Sequence, residues 1–143
     1  MEMLDRVKKM FGGASSAARE TPAAPAVPVA PPPVIDLTDT NFDGVIGAST
    51  LPAIIDFWAE WCEPCKIMSA YVEFLATDFA GQVLITALDV DENPIVAERF
   101  SVMGLPTLLV LRQGIEIDRI VGVTAYETIK ERIARTLALP NPT

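Results

Sequence analysis

Apolar residues recur from residue 34 onward with two different periods, and these periods predict the secondary structure. The run Ala53–Trp58 is apolar on both faces apart from Asp56, which is typical of a strand buried inside a sheet. Between residues 63 and 79 the apolar positions instead fall three and four apart, as on one face of a helix. The predicted elements are strand 34–37, helix 40–48, strand 53–58, helix 63–79, strand 83–89, helix 94–100, strand 108–112, strand 115–121 and helix 125–139.

The order of these elements predicts an α/β fold with a central mixed five-stranded sheet and helices on both of its faces. Gln113 and Gly114 separate the last two strands by a two-residue turn, so these strands are expected to run antiparallel. Thr38 or Asp39 is expected to cap the helix that follows the first strand, because both side chains can accept a hydrogen bond from a free backbone N–H group.

The first 33 residues have a different composition and are expected to form a disordered tail in front of the domain. Residues 1–11 place Leu4, Val7 and Phe11 at helical spacing, which suits either a short amphipathic segment that touches a membrane surface or partner, or a frayed terminus. Charges interrupt any apolar core, so this is not a secretory signal. Residues 12–33 are rich in Ala and Pro and are interpreted as an extended linker, with a ligand for a proline-binding module as the alternative.

Composition and charge narrow the function. The chain has 143 residues and a net charge of −8, with no apolar run near the roughly 20 residues of a membrane span. Residues 34–143 carry sixteen acidic and seven basic side chains, which disfavours a nucleic-acid partner because phosphates require basic patches. Two cysteines are too few for a secreted disulfide scaffold and fit thiol chemistry in a reducing, cytoplasmic compartment.

Cys62 and Cys65 lie two residues apart where a predicted strand passes through a turn into a predicted helix. At the helix start, unpaired N–H groups and the helix dipole favour the thiolate form of Cys62, and Cys65 lies on the same helical face within reach of a disulfide. A zinc site would need other ligands, and the chain has no histidine and no further cysteine. A static structural disulfide is the other alternative, although so short a loop restricts the unfolded chain little.

The motifs together resemble the thioredoxin family over about residues 34–140, and residues 34–143 are interpreted as one thioredoxin-like domain. The matching segments are Ile55-Asp56-Phe57-Trp58-Ala59-Glu60-Trp61-Cys62, Pro64-Cys65-Lys66, Asp91-Glu92-Asn93-Pro94, Gly104-Leu105-Pro106-Thr107-Leu108, Gly114 and Gly122. The combination of Trp-Cys-x-Pro-Cys-Lys with a downstream Gly-x-Pro-Thr is specific, whereas a lone Cys-x-x-Cys is not. The resemblance implies a thiol–disulfide oxidoreductase that reduces protein disulfides through Cys62 and Cys65.

The resemblance also implies roles for residues around the cysteines. Asp56 would relay the proton of Cys65 through water, unless it is merely a hydrogen-bonded structural residue. Pro106 would be cis and would leave the Leu105 backbone free to pair with a substrate peptide, unless it is an ordinary turn proline. The expected catalytic residues are therefore Cys62, Cys65, Asp56 and Pro106. The expected substrate-binding residues are Trp61, Glu63, Pro64, Gly104, Leu105, Gly122 and Val123, beside Val121.

The family also suggests how the protein is supplied with electrons and partners. It implies no bound cofactor or metal, electrons from NADPH through a thioredoxin reductase, disulfide-containing protein substrates and a monomer. Two other interpretations remain. One is a partner-binding or chaperone-like module tethered by its N-terminal tail, and the other is an oxidase or isomerase of an exported compartment.

Three positions depart from the common family pattern. Glu63 replaces a glycine between the cysteines, where a carboxylate suits the helix dipole, disfavours a neighbouring thiolate and penalises acidic partners. Ala87 replaces a lysine that often pairs with the buried aspartate, so Asp56 is expected to be protonated more readily. Ala70 replaces a proline that kinks the helix, so a straighter helix is expected.

Overall fold

The computed structural model describes residues 33–140. The predicted N-terminal segment 1–11 and the predicted linker, except for Pro33, lie outside the described residues. The elements are β1 (Ile35–Leu37), α1 (Phe42–Ala48), β2 (Ala53–Trp58), α2 (Glu63–Asp78), β3 (Leu84–Asp89), α3 (Pro94–Arg99), β4 (Thr107–Arg112), β5 (Ile115–Val121) and α4 (Tyr126–Leu137). Their order is the predicted one, and most bounds agree within two residues.

The five strands form one mixed sheet in the order β1-β3-β2-β4-β5. Strand β2 is central, with β3 parallel to it on one side and β4 antiparallel to it on the other. Its position explains why its sequence is apolar on both faces. Asp56 lies in the middle of β2, opposite Ala87 of β3 and Leu108 of β4, so neither flanking strand offers it a charged neighbour.

An apolar layer covers each face of the sheet, because successive side chains of a strand point to opposite sides. Ile54 packs in the layer beneath α2 and α4, and Ile55 packs in the layer beneath α1 and α3. The helical side chains that fill these layers include Met68, Val72, Leu75, Ile129 and Ile133 on the first face and Phe42, Ile46, Val96 and Ala97 on the second. Each fully buried Leu, Ile or Met contributes about 1.5–3 kcal/mol, so the core holds α2 and its cysteines firmly against the sheet.

The predicted hairpin between β4 and β5 is confirmed. Gln113 and Gly114 both have positive φ, 54° and 78°, as a two-residue type I′ turn requires. The flanking strands pair antiparallel from Arg112 opposite Ile115 to Thr107 opposite Val121. This register places Val121 and the residues after it beside the loop that precedes β4.

The prediction that Thr38 or Asp39 is the cap of the adjacent helix α1 is wrong, because Asn41 is its N-cap residue. The Asp39 carboxylate accepts hydrogen bonds of 3.0 and 2.8 Å from the N–H groups of Ile95 and Val96, in the first turn of α3. Thr38 instead supports the start of α1, since its hydroxyl accepts a bond from the Asn41 N–H at 3.0 Å. Asp39 therefore ties the beginning of the domain to a helix more than fifty residues away.

Helix α4 ends at Leu137, two residues before its predicted end. Beside this end lies Arg112, a buried cation at the end of β4. Its guanidinium donates to the Leu137 carbonyl at 2.9 Å and to the Leu139 carbonyl. These carbonyls have no partner within the helix, so Arg112 satisfies the C-terminal turn and fastens α4 to the sheet.

Within residues 33–140, none of the helices combines the length and the hydrophobicity that a membrane-spanning segment needs.

Candidate active site

Cys62 and Cys65 form a disulfide at the N-terminus of α2, with their Cα atoms 5.4 Å apart. Cys62 is the N-cap residue of α2, and its side chain makes no capping hydrogen bond to the first turn. Both cysteines are almost covered, Cys62 being 5% and Cys65 2% exposed. After reduction, the free N–H groups of the first turn and the positive end of the helix dipole would favour a thiolate at Cys62.

A small apolar cluster surrounds the disulfide. It consists of Ala59 and the two cysteines, with Trp58, Val90 and Leu105 packed against them. Leu105 belongs to the loop before β4, and the Leu105–Pro106 peptide bond is cis, as the family resemblance implies. The loop before β4 and the turn that contains Cys62 thus form one surface. They are more than forty residues apart in the sequence.

Gly104 and Gly122 bring this loop against the end of β5. A Cβ atom at Gly104 would lie 3.5 Å from Val121 Cγ1, and the Gly122 N–H donates to the Pro106 carbonyl at 2.8 Å. Gly122 adopts a φ of 86°, a conformation that favours glycine. The structure therefore brings together the predicted substrate-binding residues of these two segments.

Several apolar side chains around the disulfide face solvent. We call this surface the apolar rim and define it as Trp61, Met103, Leu105, Val121 and Val123. Trp61 is 69% exposed and Met103 is 93% exposed. Exposed apolar side chains that cluster at one site are typical of a surface that binds other proteins. Sequence reasoning did not select Met103, because an isolated methionine before Gly104 carries no signal of exposure.

Asp91 was also missed as a site residue. The Trp61 Nε1–H donates to the Asp91 carboxylate at 2.9 Å. Asp91 lies in the loop between β3 and α3, so this bond connects the Trp61 indole to that loop. The two residues are thirty positions apart, so only the fold reveals the pairing.

Glu63 does not stand alone beside the cysteines. Its carboxylate accepts a 3.0 Å hydrogen bond from Lys66 Nζ, and the two residues form an exposed ion pair about one helical turn apart. Such a pair is expected at a spacing of three residues on a helix. Lys66 therefore offsets part of the repulsion that Glu63 exerts on a Cys62 thiolate. Pro64 occupies the first turn between them and is exposed.

Asp56 is a buried carboxyl group without a satisfied partner. Its side chain is 1% exposed, and Oδ1 has no hydrogen-bond partner among residues 33–140. Burial raises the pKa of Asp56 from 3.8 to about 7, because desolvation disfavours the charged form. A carboxyl group that titrates near neutral pH can both accept and release a proton there.

No group of three or more Cys, Asp or Glu side chains in the described part of the chain is arranged to hold a metal ion. The two cysteines form a disulfide. It lies at a helix N-terminus, and a buried, protonatable carboxyl group occupies the central strand.

Comparisons with known proteins agree with this description. The family model described as Thioredoxin matches residues 33–135. The chain is 42% identical over 104 residues to a protein named thioredoxin from Staphylococcus saprophyticus, covering 73% of this chain and 98% of the relative. With the same coverage it is 41% identical to a thioredoxin from Staphylococcus haemolyticus and 38% identical to one from Staphylococcus aureus.

Proposed function

Because the chain belongs to the thioredoxin family and is a thiol–disulfide oxidoreductase, we propose that it reduces protein disulfides with Cys62 as nucleophile and Cys65 as resolving thiol. The observation that carries this assignment is the Cys62–Cys65 disulfide, with Cys62 at the N-cap of α2. A thiolate at Cys62 attacks one sulfur of a substrate disulfide and the other sulfur leaves. Cys65 then attacks Cys62, releases the substrate's second sulfur and closes the disulfide.

Asp56 is proposed as the proton acceptor for Cys65. The Cys65 thiol is buried, so its proton must pass to a nearby group before it can attack. Asp56 lies on the α2 side of the sheet, two residues after Ile54. Its pKa near 7 suits acceptance of a proton at neutral pH.

The apolar rim and the loop around Pro106 are proposed to bind the substrate. No backbone hydrogen bond within residues 33–140 outside the helices and strands uses the Leu105 amide or carbonyl. Both groups are therefore available to an extended substrate peptide, as in the addition of a strand to a sheet edge. Trp61, Gly104, Gly122 and Val123 would contact the side chains of that peptide, and Pro64 and Glu63 would contact residues nearer the attacked sulfur.

The family implies disulfide substrates and a reductase partner, and we propose NADPH as the electron source through a thioredoxin reductase. The reaction needs no bound cofactor, because the two thiols themselves carry the electron pair. A cytoplasmic location and a monomeric state are proposed with it. We also propose that residues 34–143 form the redox domain, that residues 12–33 act as a spacer and that residues 1–11 form the tethered N-terminal segment.

Two cysteine variants of the full chain test the mechanism. Cys62→Ser should abolish the reduction of insulin disulfides, whereas Cys65→Ser should accumulate a mixed disulfide between Cys62 and the substrate. Mass spectrometry of the trapped species identifies the attacking sulfur, and the double variant serves as the control that traps nothing. Full activity in Cys62→Ser would overturn the assignment of the nucleophile. Full activity in the double variant would favour a binding module instead.

A further inference from the structure

Two openings reach the proton-transfer groups of the site from the same side. One, of about 340 Å³, lies over Asp56, and the other, of about 360 Å³, lies over Cys65. The first is lined by Val34, Asp56, Lys66, Ser69, Ala70, Val72, Glu73 and Ala87, and the second by Trp58, Ala59, Glu60, Cys65, Lys66 and Ser69. Lys66 and Ser69 are the residues that both openings share.

Helix geometry explains this sharing. Ser69 follows Cys65 by four residues, so the two side chains are neighbours on one strip of α2. Lys66, Ala70 and Glu73 continue the strip at spacings of three and four residues and face the opening over Asp56. On the opposite wall, Ala87 is the strand neighbour of Asp56. The small side chains of Ala70 and Ala87 leave room for solvent above the carboxyl group.

Asp56 Oδ1 is buried and has no hydrogen-bond partner within residues 33–140. Buried polar atoms are nearly always hydrogen-bonded. The opening over Asp56 has room for several water molecules, and Ser69, Lys66 and Glu73 give its largely apolar lining polar groups that could bind them. Ser69 is the uncharged shared residue, and its hydroxyl can donate one hydrogen bond while accepting another. Lys66 is less suited to this task, because its ammonium group is paired with Glu63 at 3.0 Å and cannot accept a proton when charged.

We propose that the Ser69 hydroxyl positions the water through which the Cys65 proton reaches Asp56, which makes Ser69 a positioning residue for the resolving step. This inference rests on the proposed role of Asp56. The Cys65 S–H proton passes to the positioned water while that water gives a proton to the Asp56 carboxylate. The Cys65 thiolate then forms the bond to Cys62 Sγ, and the bond between Cys62 and the substrate breaks. The substrate sulfur leaves with the electron pair and is protonated by solvent.

The charged groups that face the two openings are Lys66 and Glu73 on α2 and Glu60 in the preceding loop. Ala87 and Leu108 flank Asp56 directly on the neighbouring strands, and the Asp36 carboxylate of β1 lies on the same face of the sheet beyond Ala87. Removing the Ser69 hydroxyl leaves all of these charges in place. A change in the resolving step would therefore report the hydroxyl rather than a change in the local field.

The test measures the resolving step alone in the full-length protein. A mixed disulfide between Cys62 and glutathione is prepared at acidic pH, where Cys65 stays protonated, and is then moved to neutral pH. Acid-quenched samples analysed by mass spectrometry give the rate of glutathione release. Ser69→Ala should slow this rate about three- to tenfold, less than the roughly hundredfold or larger contribution of a complete general base. The rate of glutathione release from Ser69→Ala should begin to rise at a higher pH than the wild-type rate. The rate of alkylation of reduced Cys62 should be unchanged.

Two further variants make the result specific. Ser69→Thr keeps a hydroxyl and should retain the wild-type rate. Thr77→Ala removes an exposed hydroxyl from the same helix outside both openings and should also retain it. Ser69 is exposed and alanine is a better helix former, so the test variant is expected to fold. An unchanged rate in Ser69→Ala, or slowing in Ser69→Thr or Thr77→Ala, would overturn the proposal.

Asp56→Asn separates this inference from the function on which it rests. If Asp56→Asn slows glutathione release and Ser69→Ala does not, the assignment of Asp56 as the proton acceptor is supported and the role of Ser69 is refuted. If Asp56→Asn leaves the rate unchanged, the proposed role of Asp56 fails, and the role of Ser69 fails with it. Slowing in both single variants, with little further slowing when they are combined, supports a shared proton path.

Discussion

Replacing Asp56 by asparagine should stabilise the oxidised protein at neutral and alkaline pH and change its stability little at acidic pH. Burial raises the pKa of Asp56 from 3.8 to about 7. Asparagine resembles the protonated carboxyl group in shape and cannot ionise. The substitution therefore removes the titration of this group while it preserves most of the packing around it.

The size and sign of the effect follow from proton binding. Above pH 3.8 an unfolded chain has released this proton, whereas the folded protein retains it until about pH 7. In this window the unfolded state binds fewer protons, so the free energy of unfolding falls by about 1.4 kcal/mol per pH unit. The loss reaches about 4 kcal/mol once the pH exceeds the folded pKa of about 7. A carboxylate whose pKa is lowered by folding would give the opposite sign.

Urea unfolding of the oxidised wild type and of Asp56→Asn, from about pH 4 to about pH 8.5, measures this difference. The oxidised form is used because its cysteines do not titrate, and subtraction cancels the groups that both proteins share. Thr77→Ala, which changes an exposed helix position and removes no ionisable group, is the control and should give a nearly constant difference. A wild-type-to-variant difference that changes by less than about 1 kcal/mol across this range would refute the reasoning.

Three other substitutions test separate parts of the structure. Glu63→Gln should raise the rate of Cys62 alkylation about two- to threefold near neutral pH, and less in high salt, because it removes one exposed negative charge; an equal or lower rate at low salt would contradict this. Asp39→Ala should lower the free energy of unfolding in urea by about 1–2 kcal/mol, because two N–H groups of α3 lose their cap; no loss would show that solvent replaces it. Arg112→Met should lower the free energy of unfolding by about 1–3 kcal/mol, because two carbonyls at the end of α4 lose their donor, while the rate of Cys62 alkylation stays unchanged.

The fold could be predicted largely because its signals are local. The continuous apolar run of β2, the helical spacing in α2 and the two-residue turn at Gln113 and Gly114 each depend on neighbouring residues. Their order then restricts the sheet to few topologies. The family resemblance added the cis bond before Pro106 and the arrangement around the cysteines, which periodicity alone does not indicate.

Long-range polar contacts could not be predicted in the same way. Asp39 looked like a local cap, yet its carboxylate binds the first turn of α3. Asp91 belongs to a segment that matches the family just before a predicted helix, yet its carboxylate accepts a hydrogen bond from the exposed indole of Trp61. In both cases a short polar side chain has a plausible local role, and only the assembled sheet brings the true partner within hydrogen-bond distance.

The openings around Asp56 and Cys65 could not be predicted from the sequence either, because they depend on small side chains that only the fold brings together. From the sequence, Ala70 predicts a straighter helix and Ala87 predicts a more readily protonated Asp56, with no link between the two. The structure places both on the opening over Asp56, where their small side chains act together. Ser69, between them and Cys65, carried no signal in the sequence, since a serine on an exposed helix face is ordinary.

The stability cost of Asp56 and its proposed chemical role have one physical origin. Desolvation without a cation raises its pKa, and this same desolvation destabilises the folded protein when the group ionises. A cation beside Asp56, for example on the wall that Ala87 now forms, would recover stability at neutral pH by favouring the carboxylate. It would also leave a weaker base, because a carboxylate with a lowered pKa accepts a proton less readily. At this position greater stability at neutral pH and easier proton acceptance from Cys65 therefore exclude one another.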